Sequence, residues 1–239
     1  MLYPCYSRIL KIFDILFPPN CTGCGMTAER FCYSCLNSAT LCTDSICEIC
    51  GDLVSMRENG LCDRCDKNTP YFASIRSWAL YDGALRKAIR CLKYKKDFGI
   101  GEILVAQLVV LLNKQTWKID LITAVPLAQN RIRERGYNQS NCLAIPLAYF
   151  SNLPYSTKLI WRIRATRSQV GLSYSERRSN VENAFEANPD LASGRSVLLV
   201  DDVITTCATI NSCAKSLINA GALKVFGISL ARASRLLSE

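Results

Sequence analysis

The 239 residues are 49% hydrophobic and 21% charged, a balance that excludes a disordered chain, and the length suits one sizeable α/β domain with a small module beside it. The longest apolar stretch, 103–112, is interrupted by Gln107 and falls short of the ~20 residues that cross a bilayer, so a membrane span is excluded. Charge is split along the chain: residues 1–70 carry 6 Lys/Arg against 8 Asp/Glu, whereas 71–239 carry 23 against 12.

The first signal in chain order is Ile9, Ile12, Phe13, Leu16 and Phe17, spaced as on a helix, broken by charged Arg8, Lys11 and Asp14, and lacking a small-residue cleavage site. This pattern predicts an amphipathic helix that docks on its own protein, with a membrane-surface anchor as the alternative. Cysteine usage then marks off a module. Ten of the 14 cysteines lie within residues 1–65, and eight form C-x-x-C pairs: Cys21/Cys24, Cys32/Cys35, Cys47/Cys50 and Cys62/Cys65. A disulfide framework and a metal compete for them, and the lack of a signal peptide predicts a reducing, cytoplasmic setting in which thiols stay free for zinc. Each C-x-x-C turn places two thiolates on one side of a tight knuckle, and two knuckles complete a tetrahedral four-cysteine site. The sequential pairing gives Cys21, Cys24, Cys32 and Cys35 to one ion and Cys47, Cys50, Cys62 and Cys65 to another; an interleaved pairing stays open. Four protein ligands close each site, so both zinc ions are expected to be structural. Gly25 and Gly51 follow the second cysteine of a knuckle, where a positive φ lets the backbone fold back toward sulfur. Cys5 and Cys42 are read as small buried hydrophobes. The domain boundary is accordingly placed between 1–70, the cysteine module, and 71–239.

Strand and helix signals alternate through 71–239, which implies parallel strands joined by crossovers. "FASIRSWALY" (72–81) reads as a strand and "GALRKAIRCLKY" (83–94) as a helix with Leu85, Ala88, Ile89 and Leu92 on one face. "IGEILVAQLVVLL" (100–112) is a second, largely buried helix, and "IDLITAVPLA" (119–128) a short strand stopped at Pro126, which cannot donate to a ladder. "SNCLAIPLAYF" (140–150) reads as a helix that Pro146 must start, kink or end. "SVLLV" (196–200) is a central strand. "ATINSCAKSLINA" (208–220) follows as a helix with Ile210, Cys213, Ala214, Leu217 and Ile218 inward and Gly221 past its end, and "KVFGISLA" (224–231) closes the sheet. The basic excess gathers in 86–96, 130–139 and 158–167, a surface suited to polyanions or phosphorylated small molecules.

The strand at 196–200 stops on two adjacent carboxylates, Asp201 and Asp202, at the carboxyl edge of the sheet, where open α/β sheets bind ligands. "TTCAT" (205–209) then runs into a helix N-terminus, so backbone N–H groups, hydroxyls and the positive helix end converge where a phosphate would fit. Carboxylates accept hydrogen bonds from vicinal hydroxyls or hold hydrated Mg²⁺. A sugar phosphate offers both groups.

"VLLVDDVITTCAT" resembles the signature by which type I phosphoribosyltransferases bind 5-phosphoribosyl-1-diphosphate (PRPP). With "LFPPNCTGC", the paired knuckles, "LKYKKD", "VPLAQNRIRERGYNQS" and "RATRSQVGLSYSERRSNVENAF" in that order, nearly the whole chain resembles the ComF family of competence proteins. The resemblance implies an α/β fold with a type I phosphoribosyltransferase-like parallel sheet and flanking helices, preceded by a double zinc-ribbon module. It implies that Asp201 and Asp202 hold the ribose hydroxyls, that Thr205, Thr206, Cys207, Ala208 and Thr209 wrap the 5-phosphate, and that Val125, Pro126 and Leu127 stand at the diphosphate loop, with Mg²⁺ as the companion ion. Arg131, Arg135, Asn138 and Gln139 match a segment that lines the cavity or binds nucleic acid. A mobile flap over "TRSQVGLSYSERRSN" would carry Gln169, Arg177 and Asn180 toward a bound diphosphate. Cys207 departs from the usual Gly, which limits positive φ there and tightens the pocket.

Two functions follow as expectations. One is a DNA-uptake factor of natural transformation, or of nutritional DNA use, that handles single-stranded DNA. Tyr94, Tyr137, Trp161 and Tyr174 beside the basic stretches would stack bases. The resemblance adds competence-machinery partners at the inner face of the membrane and a cytoplasmic, peripheral position. The alternative is a working phosphoribosyltransferase in nucleotide salvage. The chain has no histidine, so a general base would have to be a carboxylate or a lysine or cysteine of lowered pKa.

Overall fold

The computed structural model describes residues 14, 16–43, 45–53, 59–164 and 180–233. Most of the expected N-terminal helix, Cys5, Tyr174 and most of the flap segment, including Gln169 and Arg177, fall outside the described residues.

Two short helices, α1 (Tyr33–Asn37) and α2 (Asp63–Lys67), each begin directly after a knuckle cysteine, Cys32 and Cys62. The α/β part then runs β1 (Ser74–Leu80), α3 (Gly83–Tyr94), α4 (Phe98–Asn113), β2 (Leu121–Ala124), α5 (Gln129–Arg135), α6 (Asn141–Phe150), β3 (Ile160–Arg162), β4 (Phe185–Ala187), α7 (Pro189–Ala192), β5 (Ser196–Ile204), α8 (Ala208–Asn219) and β6 (Lys224–Arg232).

Four strands form one parallel sheet in the order β1-β6-β5-β2, with Leu121 opposite Val197 and Ser196 opposite Lys224. The alternation of β5 sorts the core. Leu198 and Val200 pack with Leu85, Ile89, Leu104, Leu108, Leu143 and Leu147 of α3, α4 and α6 on one face. Val197 and Leu199 pack with Ile210, Cys213, Ala214 and Leu217 of α8 on the other, where Ile218 is only half-buried. Both faces are covered, which is why these strands read as continuous apolar runs. The parallel sheet with flanking helices behind a cysteine module is the architecture expected from the sequence.

Three local expectations are corrected or narrowed. The chain 224–231 does not close the sheet at an edge; β6 lies between β1 and β5, its burial nearly continuous from Val225 to Arg232. Pro146 neither starts nor ends its helix, because α6 continues through it while Leu143, Ala144 and Leu147 hold it against the core. And β5 does not end before the acids. It continues through Asp201 and Asp202 to Ile204, paired to β6 as far as Ile204 opposite Arg232, while its other neighbour stops at Ala124 opposite Val200. The Val125 N–H bonds the Val200 carbonyl at 2.9 Å, and Pro126 has no N–H to carry the ladder further. The acids therefore sit in a strand with one flank open.

The cysteine module lies along the outer edge of β1. The N–H of Ile75 bonds Ile49 O at 2.7 Å, that of Leu80 bonds Thr40 O at 2.8 Å, and the N–H of Cys42 bonds Trp78 O at 3.0 Å. An edge strand that would otherwise expose a row of pairing groups is thereby occupied. Cys42 is buried there, its thiol pushed up to about 11 by desolvation. Cys21, Cys32 and Cys35 of the first quartet pack with the α3 and α4 face of the sheet and the second quartet with the α8 face, so the two quartets flank β1 from opposite sides.

Candidate functional site

Each quartet gathers its sulfurs within 4.8 Å of one another, one from Cys21, Cys24, Cys32 and Cys35, the other from Cys47, Cys50, Cys62 and Cys65. The pairing is sequential, and the interleaved alternative is overturned. Sulfur separations of 3.6 Å for Cys21–Cys35 and 3.7 Å for Cys24–Cys32 and Cys50–Cys62 fit a tetrahedral zinc, whose bonds of about 2.3 Å set ligand sulfurs roughly 3.8 Å apart. The two sites repeat one construction. Gly25 (φ 84°) and Gly51 (φ 64°) turn back so that their N–H groups bond the carbonyls of Cys21 and Cys47 at 2.8 Å. The N–H of Cys32 then points at Cys21 Sγ (3.3 Å) and that of Cys62 at Cys47 Sγ (3.4 Å). Burial opposes ionisation of Cys21, but the N–H groups of Cys32, Cys24 and Gly23 outweigh it and lower the thiol to about 6. Such groups present thiolate to a metal at neutral pH.

A cavity of about 660 Å³ opens at the carboxyl end of β5 and β2. It is lined by Asp201, Asp202, Thr205, Cys207, Ala208 and Thr209 from the β5–α8 passage, by Val125, Pro126 and Leu127 after β2, and by Arg131, Arg135 and Gln139 from α5 and the turn beyond it. The sequence-predicted residues thus converge, with exceptions. Thr206 is not in the lining. Asn138 acts behind it, its amide donating to Val125 O at 2.9 Å and its oxygen accepting from Ser140 N at 3.1 Å. Asn180 lies at the approach to β4, its carbonyl accepting from Arg164 at 3.1 Å.

The acids are held by a chain of side chains. Arg135 donates to Gln139 Oε1 at 2.7 Å, Gln139 donates to Asp202 Oδ1 at 3.3 Å, and Lys93 Nζ approaches Asp202 Oδ2 at 2.5 Å. Asp201 Oδ1 accepts from Ser140 Oγ at 3.0 Å and from the N–H of Asp202 at 2.9 Å. Asp202 is buried and committed to Lys93, while Asp201 is half-buried. Burial and then the Asp202 charge push Asp201 up to about 7, against the pull of Lys93 and Ser140. Burial disfavours the charge on Lys93, but Asp202 overrides it and holds the ammonium above the ordinary lysine range.

Cys207 adopts the left-handed conformation (φ 63°, ψ 1°) that a Gly would take without strain. Its thiol is drawn away from solvent, 3.2 Å from a guanidinium nitrogen of Arg232, and a hydrogen bond from the Cys207 thiol lowers Cys50. The substitution is thus accommodated by the neighbouring cysteine site.

Residues not singled out from the sequence complete the cavity: Arg86, Arg90 and Lys93 of α3, Tyr81, Ser140, and Arg162 of β3. The first three were visible as a basic stretch, and their spacing of four and three places them on one helical face, a periodicity read only for the apolar side. The antiparallel ribbon of β3 and β4, which flanks the flap segment, is three residues per strand and too short for an alternation signal. Of the aromatic candidates, Tyr94 is exposed with Arg135 5.0 Å over its ring and Trp161 is exposed, whereas Tyr137 packs edge-on against Phe98 and donates to Leu92 O.

A doubly covered parallel sheet with an acid pair and a small-residue turn at its carboxyl edge, joined to paired four-cysteine knuckles, defines a double-zinc-ribbon α/β protein, and the double zinc ribbon domain family matches residues 12–66. The DNA utilization protein YhgH of Escherichia coli K12 is 33% identical over 192 residues, covering 78% of this chain and 84% of that protein. Competence protein F of Haemophilus influenzae is 30% identical over 220 residues, 89% of this chain and 90% of that one. The chain belongs to the ComF family of competence and DNA utilization proteins. Among solved structures, the adenine phosphoribosyltransferase of Thermoanaerobacter pseudethanolicus overlays 63% of this chain and 87% of its own at 19% identity, with a TM-score of 0.38. No helix among the described residues is long and apolar enough to cross a membrane.

Proposed function

We propose that this chain serves DNA uptake or utilization as a protein that binds PRPP with Mg²⁺ at the β5–α8 edge and single-stranded DNA along the basic rim of the same cavity, with residues 1–70 as a unit carrying two structural zinc ions and 71–239 as the ligand-binding unit. The observation that carries the reading is the convergence of Asp201, Asp202 and the 205–209 turn on one cavity whose rim is basic. In this arrangement Asp201 takes a ribose hydroxyl, the turn and the start of α8 take the 5-phosphate, and the stretch at Val125–Leu127 lies where the diphosphate and its Mg²⁺ would be held. Asp202 is oriented by Lys93 and Gln139. Gln169 and Arg177 would reach the diphosphate from the flap, and Arg131 and Arg135 offer bidentate donors to phosphate. Partners in the competence machinery and a cytoplasmic, peripheral position follow from the same reading. Calorimetric titration of PRPP and Mg²⁺ into the wild type and an Asp201→Ala/Asp202→Ala variant tests it: the wild type should bind and the folded variant should not, and equal affinity would sink the assignment.

One observation favours phosphoribosyl transfer as well. Asp201, whose carboxyl burial and the Asp202 charge push up to about 7, lines the cavity and in this second reading would serve as general base instead of holding a ribose hydroxyl. Diphosphate release from PRPP across purines, pyrimidines and ammonia decides between binding and catalysis; a flat panel with binding intact rejects the enzyme.

A further inference from the structure

Arg232, the last residue of β6, is wholly buried, and its guanidinium reaches two carbonyls and a thiol: Cys50 O in the second cysteine site, Thr205 O at 3.4 Å and Cys207 Sγ at 3.2 Å in the turn after β5. A buried cation needs a compensating charge. The buried Asp52 carboxylate supplies part of it, and four thiolates around one divalent zinc would add a net double negative charge on the Cys50 side of Arg232. Arg64, on the site's second knuckle, reaches across to the first, 3.7 Å from Cys50 Sγ and 2.8 Å from Asp52. The contacts continue to the ligand side. Cys207 holds a left-handed backbone (φ 63°) that strains a non-glycine residue, and its thiol rests on Arg232. Thr205 and Cys207 are the first and third residues of the turn lining the cavity.

We propose that Arg232 is a positioning residue that links occupancy of the second cysteine site to the shape of the 205–209 turn: metal in the site fixes Arg232, and Arg232 fixes the turn in the form that accepts phosphate. The phosphate half rests on the function proposed above; the link between metal and turn does not. Linkage is reciprocal, so a phosphate ligand in the turn slows metal loss from the second site and leaves the first, whose sulfurs do not touch Arg232, unaffected.

The full-length, zinc-loaded protein is compared with Arg232→Met and Arg232→Lys. Release of zinc to a metallochromic chelator and hydrogen exchange at residues 204–210 are followed, with α4 as the internal control. In Arg232→Met, one of the two ions should leave about ten-fold faster than in the wild type while the other keeps its rate, and exchange should rise in the turn and not in α4. Arg232→Lys should recover part of both effects, because the ammonium keeps the charge and lacks the reach to span knuckle and turn. Wild-type release of both ions overturns the proposal, and so does equal acceleration of both with exchange raised across the sheet, the mark of general loosening. Should Arg232→Met fail to fold, Cys207→Ala carries the same comparison, since it keeps the guanidinium and removes the sulfur acceptor that a serine hydroxyl would replace; unchanged release and exchange there would overturn it equally. Adding PRPP and Mg²⁺ to the wild type should slow release from one site only. If PRPP does not bind the wild type at all, the phosphate reading falls, and the metal-to-turn link is decided by the exchange data alone.

Discussion

Lys93 Nζ lies 2.5 Å from Asp202 Oδ2, with the two side chains 18% and 4% exposed, so a helix on one face of the sheet clamps the acid pair at its edge. Removing one partner of a buried pair leaves the other charge uncompensated, at a cost of about 3–5 kcal/mol, whereas removing both charges together costs far less. Lys93→Met should therefore lower the urea midpoint sharply, and Lys93→Met/Asp202→Asn should restore more than half of the loss. A single variant within about 1 kcal/mol of the wild type would show that the pair does not anchor the site.

Asp201 gives the protein a distinctive pH dependence. Its carboxyl is pushed up to about 7 in the folded state from an ordinary value near 3.8, so between those pH values the folded state holds a proton that the unfolded state has lost. Stability contributed by this group is then full below about pH 4 and declines as pH rises toward 7. Thermal unfolding of the wild type against Asp201→Asn across pH 4–8 should show the wild type losing ground with rising pH relative to the variant. Parallel curves would place the Asp201 carboxyl in the ordinary range.

Metal removal should act first on the sheet edge. Ile75 donates to Ile49 O, inside the second site's first knuckle, and Leu80 to Thr40 O in the segment ahead of it, so a module that loosens without metal uncovers β1. Exposed edge strands pair with other chains. A strong chelator should raise exchange at the Ile75 and Leu80 amides and increase light scattering, while amides in β2, at the far edge of the sheet, stay protected. Loss of protection at both edges together would mean that the metal holds the whole fold.

Much of the fold was legible because apolar periodicity is a local property. Leu85, Ala88, Ile89 and Leu92 marked the buried face of α3, and Pro126 marked where β2 had to stop. The cysteine spacing was equally local, down to the glycines at positive φ. What escaped depended on distant partners. The strand order, with β6 inside, is set by which apolar strands meet after collapse, and nothing in 224–232 alone encodes its neighbours. Lys93 belongs to the site because α3 lies against the end of β5, a relation between residues over a hundred apart in sequence. Cys207 looked like a defect in a phosphate loop. Its accommodation became visible only with Cys50 and Arg232 beside it.

The proposed path of single-stranded DNA along the basic rim makes a quantitative demand. Arg86 and Arg90 are exposed on the cavity side of α3, away from its buried stripe, so replacing them leaves the core untouched. Each phosphate neutralised on a single strand contributes a slope of about −0.7 in log affinity against log salt. Arg86→Ala/Arg90→Ala should therefore weaken binding of an unstructured oligonucleotide and flatten its salt dependence by about 1.4 if each arginine meets one phosphate, with little preference for sequence. Tyr94→Ala, removing a ring exposed beside the same cavity, should weaken binding by about 1–3 kcal/mol and leave the slope unchanged, because stacking releases no counterions. Fluorescence anisotropy over 50–300 mM salt separates the two effects. Equal slopes in wild type and double variant would remove the arginines, and with them this rim, from the DNA path.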